Sequence, residues 1–281
     1  MGRKAALAVV GERVRLPSMP GVVQELNRLF ADPDVDMHAV GDVIAQDPTM
    51  TARVLRIANS AYYGLLEPVL SADQAAAVLG AESLRNVVMQ ASVVGQYENL
   101  GAELGFDMNE TWTHAVFVGQ LAQNLTEQCS KLVEVTPEEM YTCGLLHDIG
   151  KVVLLDGLRE EYVEVFEDAR RSGESLHMAE ERELGYTHID VGSLVAERWG
   201  LPEAVCHAIR FHHGPRAEIL QNPATAVVAL ADQVAYRVHA DDFEASMNRL
   251  GALAEQVLDL EAQPFRRFIE FAKEARSRIE I

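Results

Sequence analysis

The chain has 281 residues, of which 48% are hydrophobic and 24% are charged, a composition typical of a globular protein with a substantial core. Its 43 acidic and 24 basic residues give a formal net charge of −19, which repels phosphate backbones and argues against a nucleic-acid partner. The cysteines Cys129, Cys143 and Cys206 form no CxxC pair, and no apolar stretch reaches the roughly 18 residues of a membrane span. We therefore expect a cytoplasmic protein with reduced thiols that does not enter membranes.

Helix signals recur along the chain, whereas the alternation typical of strands is almost absent. The clearest helix starts place proline directly after a capping residue, at Asp47-Pro48, Thr136-Pro137 and Asn222-Pro223. Thr136 with Glu139 also predicts a capping box, and Ser71 with Gln74 predicts a second one. These signals predict an all-α protein.

The predicted helices are expected to form two lobes closed by C-terminal helices. Residues 97–110 combine glycines with acids, so we expect an N-terminal helical lobe at 1–100 and a second lobe at 101–240. A second boundary is predicted near residues 239–242, before C-terminal helices at 241–281 that pack on the core. The apolar stripe through Phe265, Phe268 and Ile269 predicts core packing or, as an alternative, contact within a homodimer.

Histidine and aspartate stand side by side at His147-Asp148, directly after the apolar part of the helix that begins at Thr136. Neutral imidazole and carboxylate together suit a divalent transition metal. Two further candidates face a core: His114 lies on an apolar helical stripe, and Asp232 lies in the middle of an apolar helix. A buried carboxylate such as Asp232 needs a cationic partner or a metal, because desolvating it alone is costly.

Three further histidines are candidates, namely His188, His212 and His213. His212 shares a helical face with Val205, Ala208 and Ile209, whereas His213 is rotated about 100° from it, so the two need not face one cavity. Each of these histidines, taken alone, is also consistent with an ordinary role as a core residue that hydrogen-bonds to the backbone. Several inward-facing groups on separate helices favour a shared metal site.

The pair His147-Asp148, followed by Gly150-Lys151, resembles the motif of the HD superfamily of metal-dependent phosphohydrolases. The rest of the chain, from about Leu16 to Pro215, resembles the HDOD family within it. Four segments carry this resemblance: residues 16–20, 47–64 with the block Asn59-Ser60-Ala61-Tyr62-Tyr63-Gly64, 77–80, and 197–202. The resemblance implies a multi-helix HD-like domain with an N-terminal helical lobe.

The resemblance also implies roles for individual residues. His114, His147, Asp148 and Asp232 would be metal ligands. His188, His212 and His213 lie where the related HD-GYP cyclic-di-GMP phosphodiesterases carry extra histidines, and Lys151 matches a lysine that contacts substrate phosphate. The chain departs from the HD-GYP pattern after His213, where Gly214-Pro215-Arg216 replaces a glutamate and a Gly-Tyr-Pro loop.

Two kinds of function follow from the resemblance. We favour a bacterial signal-transduction module that keeps an HD-type metal site and acts through other signalling proteins. The alternative is a metal-dependent phosphohydrolase, in which Asp148 and Lys151 would be the catalytic residues, or a sensor that binds a nucleotide or phosphoester without turnover. In each case the expected cofactor is Fe, Mn, Zn, Co or Ni, as one ion or two, without an organic cofactor.

Overall fold

A computed structural model describes residues 2–32, 34–102, 104–129, 134–238 and 243–279. The described residues fold into α-helices with no strand among them, which confirms the predicted all-α class. The helices are α1 (Gly2–Val9), α2 (Gly21–Leu29), α3 (Met37–Ala45), α4 (Pro48–Ala58), α5 (Ala72–Gln96), α6 (Met108–Cys129), α7 (Pro137–Leu146), α8 (Ile149–Leu158), α9 (Glu160–Ser172), α10 (Leu176–Leu184), α11 (His188–Trp199), α12 (Glu203–Phe211), α13 (Arg216–Gln221), α14 (Pro223–Arg237), α15 (Phe243–Leu258) and α16 (Ala262–Ala275).

The predicted helix starts owe their position to local capping. Asp47, Thr136 and Asn222 accept hydrogen bonds from backbone N–H groups of α4, α7 and α14, and proline follows each of them. Thr136 and Glu139 form the full capping box. At α5 only half of the second box is present, because Ser71 accepts from Gln74 N–H while the Gln74 side chain accepts from Leu70 N–H instead.

Two groups of helices pack against each other. Helices α2, α3 and α4 cover α5, which in turn contacts α7. Helices α6, α7 and α14 contact one another at the centre of the second group, and α8 lies against α11. Tyr62 joins the groups, since its hydroxyl donates to Gln123 Oε1 of α6 at 2.6 Å.

One continuous buried core extends from α1 to α16, so the predicted boundary between the two lobes stays a prediction. The predicted seam at residues 239–242 lies outside the described residues. Phe265, Phe268 and Ile269 are buried against the core.

None of the described helices is both long and apolar enough to cross a lipid bilayer. Cys129, Cys143 and Cys206 are free thiols.

Candidate metal centre

The first half of the candidate site consists of His114, His147, Asp148 and Asp232. His114 lies on α6, His147 and Asp148 form the link between α7 and α8, and Asp232 lies within α14. His114 Nε2 is 3.1 Å from Asp232 Oδ1 and 3.8 Å from Asp148 Oδ2. His147 Nε2 is 3.2 Å from Asp148 Oδ2 and 3.7 Å from Asp232 Oδ1. Four potential ligand atoms from three segments thus surround one small space.

The second half consists of His188, His212, His213 and the other oxygen of Asp148. His188 begins α11, and His212 and His213 follow α12. The Nε2 atoms of His188 and His212 lie 3.3 Å and 3.4 Å from Asp148 Oδ1. One ligand atom from each of these four residues lies within 4.8 Å of the others. Asp148 therefore faces both halves, with one carboxylate oxygen toward each.

Hydrogen bonds behind the imidazoles fix their orientation. Nδ1 of His147 lies 2.6 Å from the carbonyl oxygen of Gly144, and Nδ1 of His212 lies 3.0 Å from that of Ile209. Since a carbonyl oxygen only accepts, each Nδ1 carries a proton, and in the neutral ring Nε2 then presents a lone pair to the cluster. This is the arrangement that metal-bound histidines adopt in proteins.

His188 has a different support, the buried carboxylate of Glu180 on α10. Glu180 Oε2 accepts from the backbone N–H of His188 at 2.9 Å and lies 2.6 Å from its Nδ1, while Oε1 accepts from the Tyr162 hydroxyl at 2.5 Å. Burial raises the pKa of Glu180, but His188 and Tyr162 together bring it below its ordinary value. Glu180 is therefore a carboxylate, and it makes the His188 imidazole a stronger donor to a cation.

Seven side-chain atoms of the cluster are buried without a hydrogen-bond partner. They are the Nε2 atoms of His114, His147, His188 and His212, Oδ1 of Asp148, and both carboxylate oxygens of Asp232. Leaving a buried polar atom unpaired costs about 1–3 kcal/mol. All seven belong to residue types that coordinate divalent transition metals. The donor set fits one cation in each half, and coordination would satisfy the unpaired atoms.

The cluster also has the electrostatics of a cation site. Burial lowers the pKa of His147, but Asp148 and Asp232 outweigh it and raise this pKa to about 10. Burial would raise the pKa of Asp148, whereas His147 and Lys151 hold it well below its ordinary value. The carboxylates thus stabilise positive charge in the space between the imidazoles.

A cavity of about 660 Å³ opens onto the cluster. Its lining includes the buried Asp232 and Lys151, the half-buried His213 and the exposed Tyr236. Lys151 Nζ donates to Asp148 Oδ2 at 2.5 Å, so its charge lies at the boundary between the cluster and the cavity. The volume is in the range of small-molecule sites.

The structure brings all seven predicted ligand residues together, and their role as ligands stays a prediction. The sequence did not single out Glu180, Tyr162, His177 or Tyr236. His177 stacks on His213 with ring centroids 4.7 Å apart, and Tyr236 packs on His114 at the same centroid distance. For Glu180, the one available sequence signal was a carboxylate eight residues before His188. Nothing in the sequence shows that α10 directs this carboxylate toward His188.

Gly150 has a packing role beside the cluster. It lies inside α8, two residues after Asp148, with helical geometry. A side chain at this position would collide with the carbonyl oxygen of His188. Gly150 therefore allows α8 and α11 to approach, which brings Asp148 to His188.

Comparison with known proteins places this geometry in a family. An HDOD domain model matches residues 16–215. A crystal structure of an HDOD domain protein of unknown function from Geobacter sulfurreducens has a TM-score of 0.80 and 26% identity, covering 98% of this chain and 96% of that one. A Shewanella amazonensis protein named "Putative phosphohydrolase" has a TM-score of 0.76 and 25% identity, covering 98% of both chains.

A curated relative from Treponema pallidum, described as an uncharacterized protein, is 26% identical over 230 residues. The match covers 82% of this chain and 44% of the relative, so the chain spans less than half of that protein's length. The family model, by contrast, covers most of the present sequence, including helices α2 to α5 and the residues from His114 to His213. The chain belongs to the HDOD domain family.

Proposed function

We propose that this chain binds two divalent metal ions in the His/Asp cluster and hydrolyses a small phosphoester in the adjoining cavity. The observation that carries the proposal is the set of seven buried side-chain atoms without a hydrogen-bond partner, one on Asp148 and six on the histidines and Asp232 around it. The Shewanella amazonensis neighbour, whose name suggests a phosphohydrolase, supports the same reaction class. Fe, Mn, Zn, Co and Ni all suit this donor set.

Each part of the site has a function in this proposal. Bound divalent metals supply Lewis-acid stabilisation of phosphoryl oxygens and lower the pKa of water. Asp148 holds the two halves at a fixed separation, because each half takes one of its oxygens. Lys151 lies on the cavity wall beside Asp148, where its ammonium group can donate a hydrogen bond to a phosphoryl oxygen.

The cavity and the charge of the chain restrict the substrate. A volume of about 660 Å³ accepts a small molecule. The net charge of −19 repels a polyanion, which disfavours nucleic acid as a substrate. The proposed substrate is therefore a small phosphate ester.

The proposal is tested by hydrolysis of phosphoesters with protein stripped by a chelator and reloaded with Mn²⁺. We expect release of nitrophenol from p-nitrophenyl phosphate or its diester, and a fall in kcat of about 100-fold in Lys151→Met, because one charge that stabilises the transition state is lost. Lys4→Met, at an exposed position of α1, is the matched control and should keep the wild-type rate. Equal rates in wild type and Lys151→Met, or no turnover above free Mn²⁺, would contradict the proposal.

The regulatory module is the second candidate. The family assignment supports it, since a protein that keeps the ligand set can also use a bound metal to connect α6, α8, α11 and α14. In that case Asp148→Asn would leave the capture of signalling partners intact. Partner proteins and a homodimer stay predictions.

A further inference from the structure

We infer that helices α9 and α10 form a hinged lid, which closes over the cavity when a cation occupies the second half of the metal centre. The lid comprises residues 160–184, from the start of α9 to the end of α10. The inference rests on the proposed function for the presence of the cations. It adds a conformational role for one of them.

The lid contributes a wall to the cavity of about 660 Å³. Residues of both its helices line this cavity, among them Phe166 and Ala169 of α9 and Leu176 and His177 of α10. Residues of α14 line it as well. A movement of the lid relative to α14 would therefore change access to the cavity.

The two helices of the lid are joined to each other by their own contacts. They share a small apolar cluster that is separate from the continuous core, formed by the buried Val165, Ala169 and Ala179 with Leu176 and Leu184 packed against them. At the surface, Arg182 of α10 forms ion pairs with Asp168 of α9 at 2.8 Å and with Glu174 at 3.1 Å. Such a helical pair can move as one cooperative unit.

Both ends of the lid have backbone conformations that suit a hinge. Arg159, between α8 and α9, has a φ of 51° and a ψ of −120°, and positive φ is uncommon for a residue other than glycine. Gly185, directly after α10, has a φ of 76°. Changes at such terminal residues can rotate a pair of helices without unwinding them. Tyr162 is buried in the continuous core close to Arg159, so this end is the pivot.

Glu180 and His177 join the lid to candidate ligands of the second half. Glu180 Oε2 accepts from the backbone N–H of His188 and lies 2.6 Å from its Nδ1. The ring of His177 stacks on that of His213, with an interplanar angle of 20°. His188 and His213 each offer a ligand atom to the second half. A cation held by these imidazoles would therefore fix the two groups to which the lid attaches.

The coupling between the cation and the lid acts in both directions. Opening the lid removes the carboxylate of Glu180 from behind His188, and losing such a partner reduces metal affinity about 10–100-fold. By linkage, a cation in the second half favours the closed lid by the same factor. The first half takes its other ligands from α6, the α7–α8 link and α14, so we expect its cation to leave the lid unaffected.

Hydrogen–deuterium exchange of the full chain, stripped by a chelator and then saturated with Co²⁺, tests this inference. Amides of residues 160–184 should exchange about 10-fold more slowly with Co²⁺ bound, at the lower end of the factor that linkage gives. Amides of α2, which packs on α5, are the internal control and should exchange at the same rate in both states. Equal exchange of the lid in the two states, with two Co²⁺ ions bound per chain, would overturn the inference.

A matched pair of variants locates the effect in one half. In His188→Ala, Co²⁺ should no longer slow the exchange of residues 160–184, whereas in His114→Ala it should still do so. Circular dichroism checks that both variants are folded, and the wild-type comparison decides the matter if either is not. If Co²⁺ slows the lid equally in both variants, or slows it in neither while each binds one Co²⁺, the second half does not control the lid.

The same samples separate this inference from the proposed function. Slower exchange of the lid with Co²⁺, in a protein that hydrolyses no ester, would support the lid and contradict the phosphohydrolase. Ester hydrolysis and two bound Co²⁺ ions, without any change in the exchange of the lid, would contradict only the lid. A chain that binds no Co²⁺ would contradict both.

Discussion

The two halves of the candidate metal centre obtain their negative charge in different ways. The first half contains two carboxylates, Asp148 and Asp232, beside two imidazoles. The second shares Asp148 and otherwise consists of imidazoles, but Glu180 stands behind His188. In the proposed metal centre, a cation would therefore meet its counter-charge directly in the first half and partly through a hydrogen bond in the second. The comparison indicates that a site can balance charge with a carboxylate that is not itself a ligand.

Removing the shared carboxylate should have the largest effect, because both halves depend on it. Asp148→Asn is expected to reduce the metal content of reloaded protein to below about a tenth of an equivalent, since a neutral amide is a poor ligand for a transition metal. The measurement is elemental analysis of protein purified without a histidine tag. Asp156→Asn, one turn or more beyond the site in α8, is the control. If Asp148→Asn keeps two equivalents, Asp148 does not join the halves.

Glu180→Gln should have a smaller effect that is confined to the second half. The amide still accepts from Tyr162, but the negative charge behind His188 is lost, and changes of this kind reduce metal affinity about 10–100-fold. Titration with Co²⁺, followed by its absorption spectrum, should show one site weakened and the other unchanged. Glu181→Gln, an exposed neighbour on α10, should leave both sites unchanged. An equal loss of Co²⁺ affinity at both sites would show that the effect of Glu180 is not confined to the second half.

The sequence predicted the first half of the centre better than the second. His114 and Asp232 lie within long helices, α6 and α14, so their inward direction follows from regular helical spacing. His212 caps α12 with helical dihedral angles, but His213 lies in the turn beyond it, where that spacing no longer applies. The predicted rotation of about 100° therefore did not show that both histidines reach the same half.

The support of His188 could not be predicted, because it depends on contacts between distant elements. Glu180 reaches His188 only after α10 packs beside α9 and α11, and Tyr162 comes from α9. The close approach of α8 and α11 at Gly150 is likewise a tertiary contact. Capping residues fixed the starts of α4, α7 and α14 because capping is local. Capping could therefore be predicted from neighbouring residues, whereas contacts between helices that are distant in the sequence could not.

The central claim is that two separate cation positions lie on the two sides of Asp148. Anomalous scattering from crystals of the full chain reloaded with Mn²⁺ or Co²⁺ tests it most directly. We predict two peaks, one between His114, His147 and Asp232 and the other between His188, His212 and His213, with one oxygen of Asp148 toward each. The absence of any peak within coordinating distance of Asp148, or a single peak that contacts only one of the two histidine groups, would contradict the account.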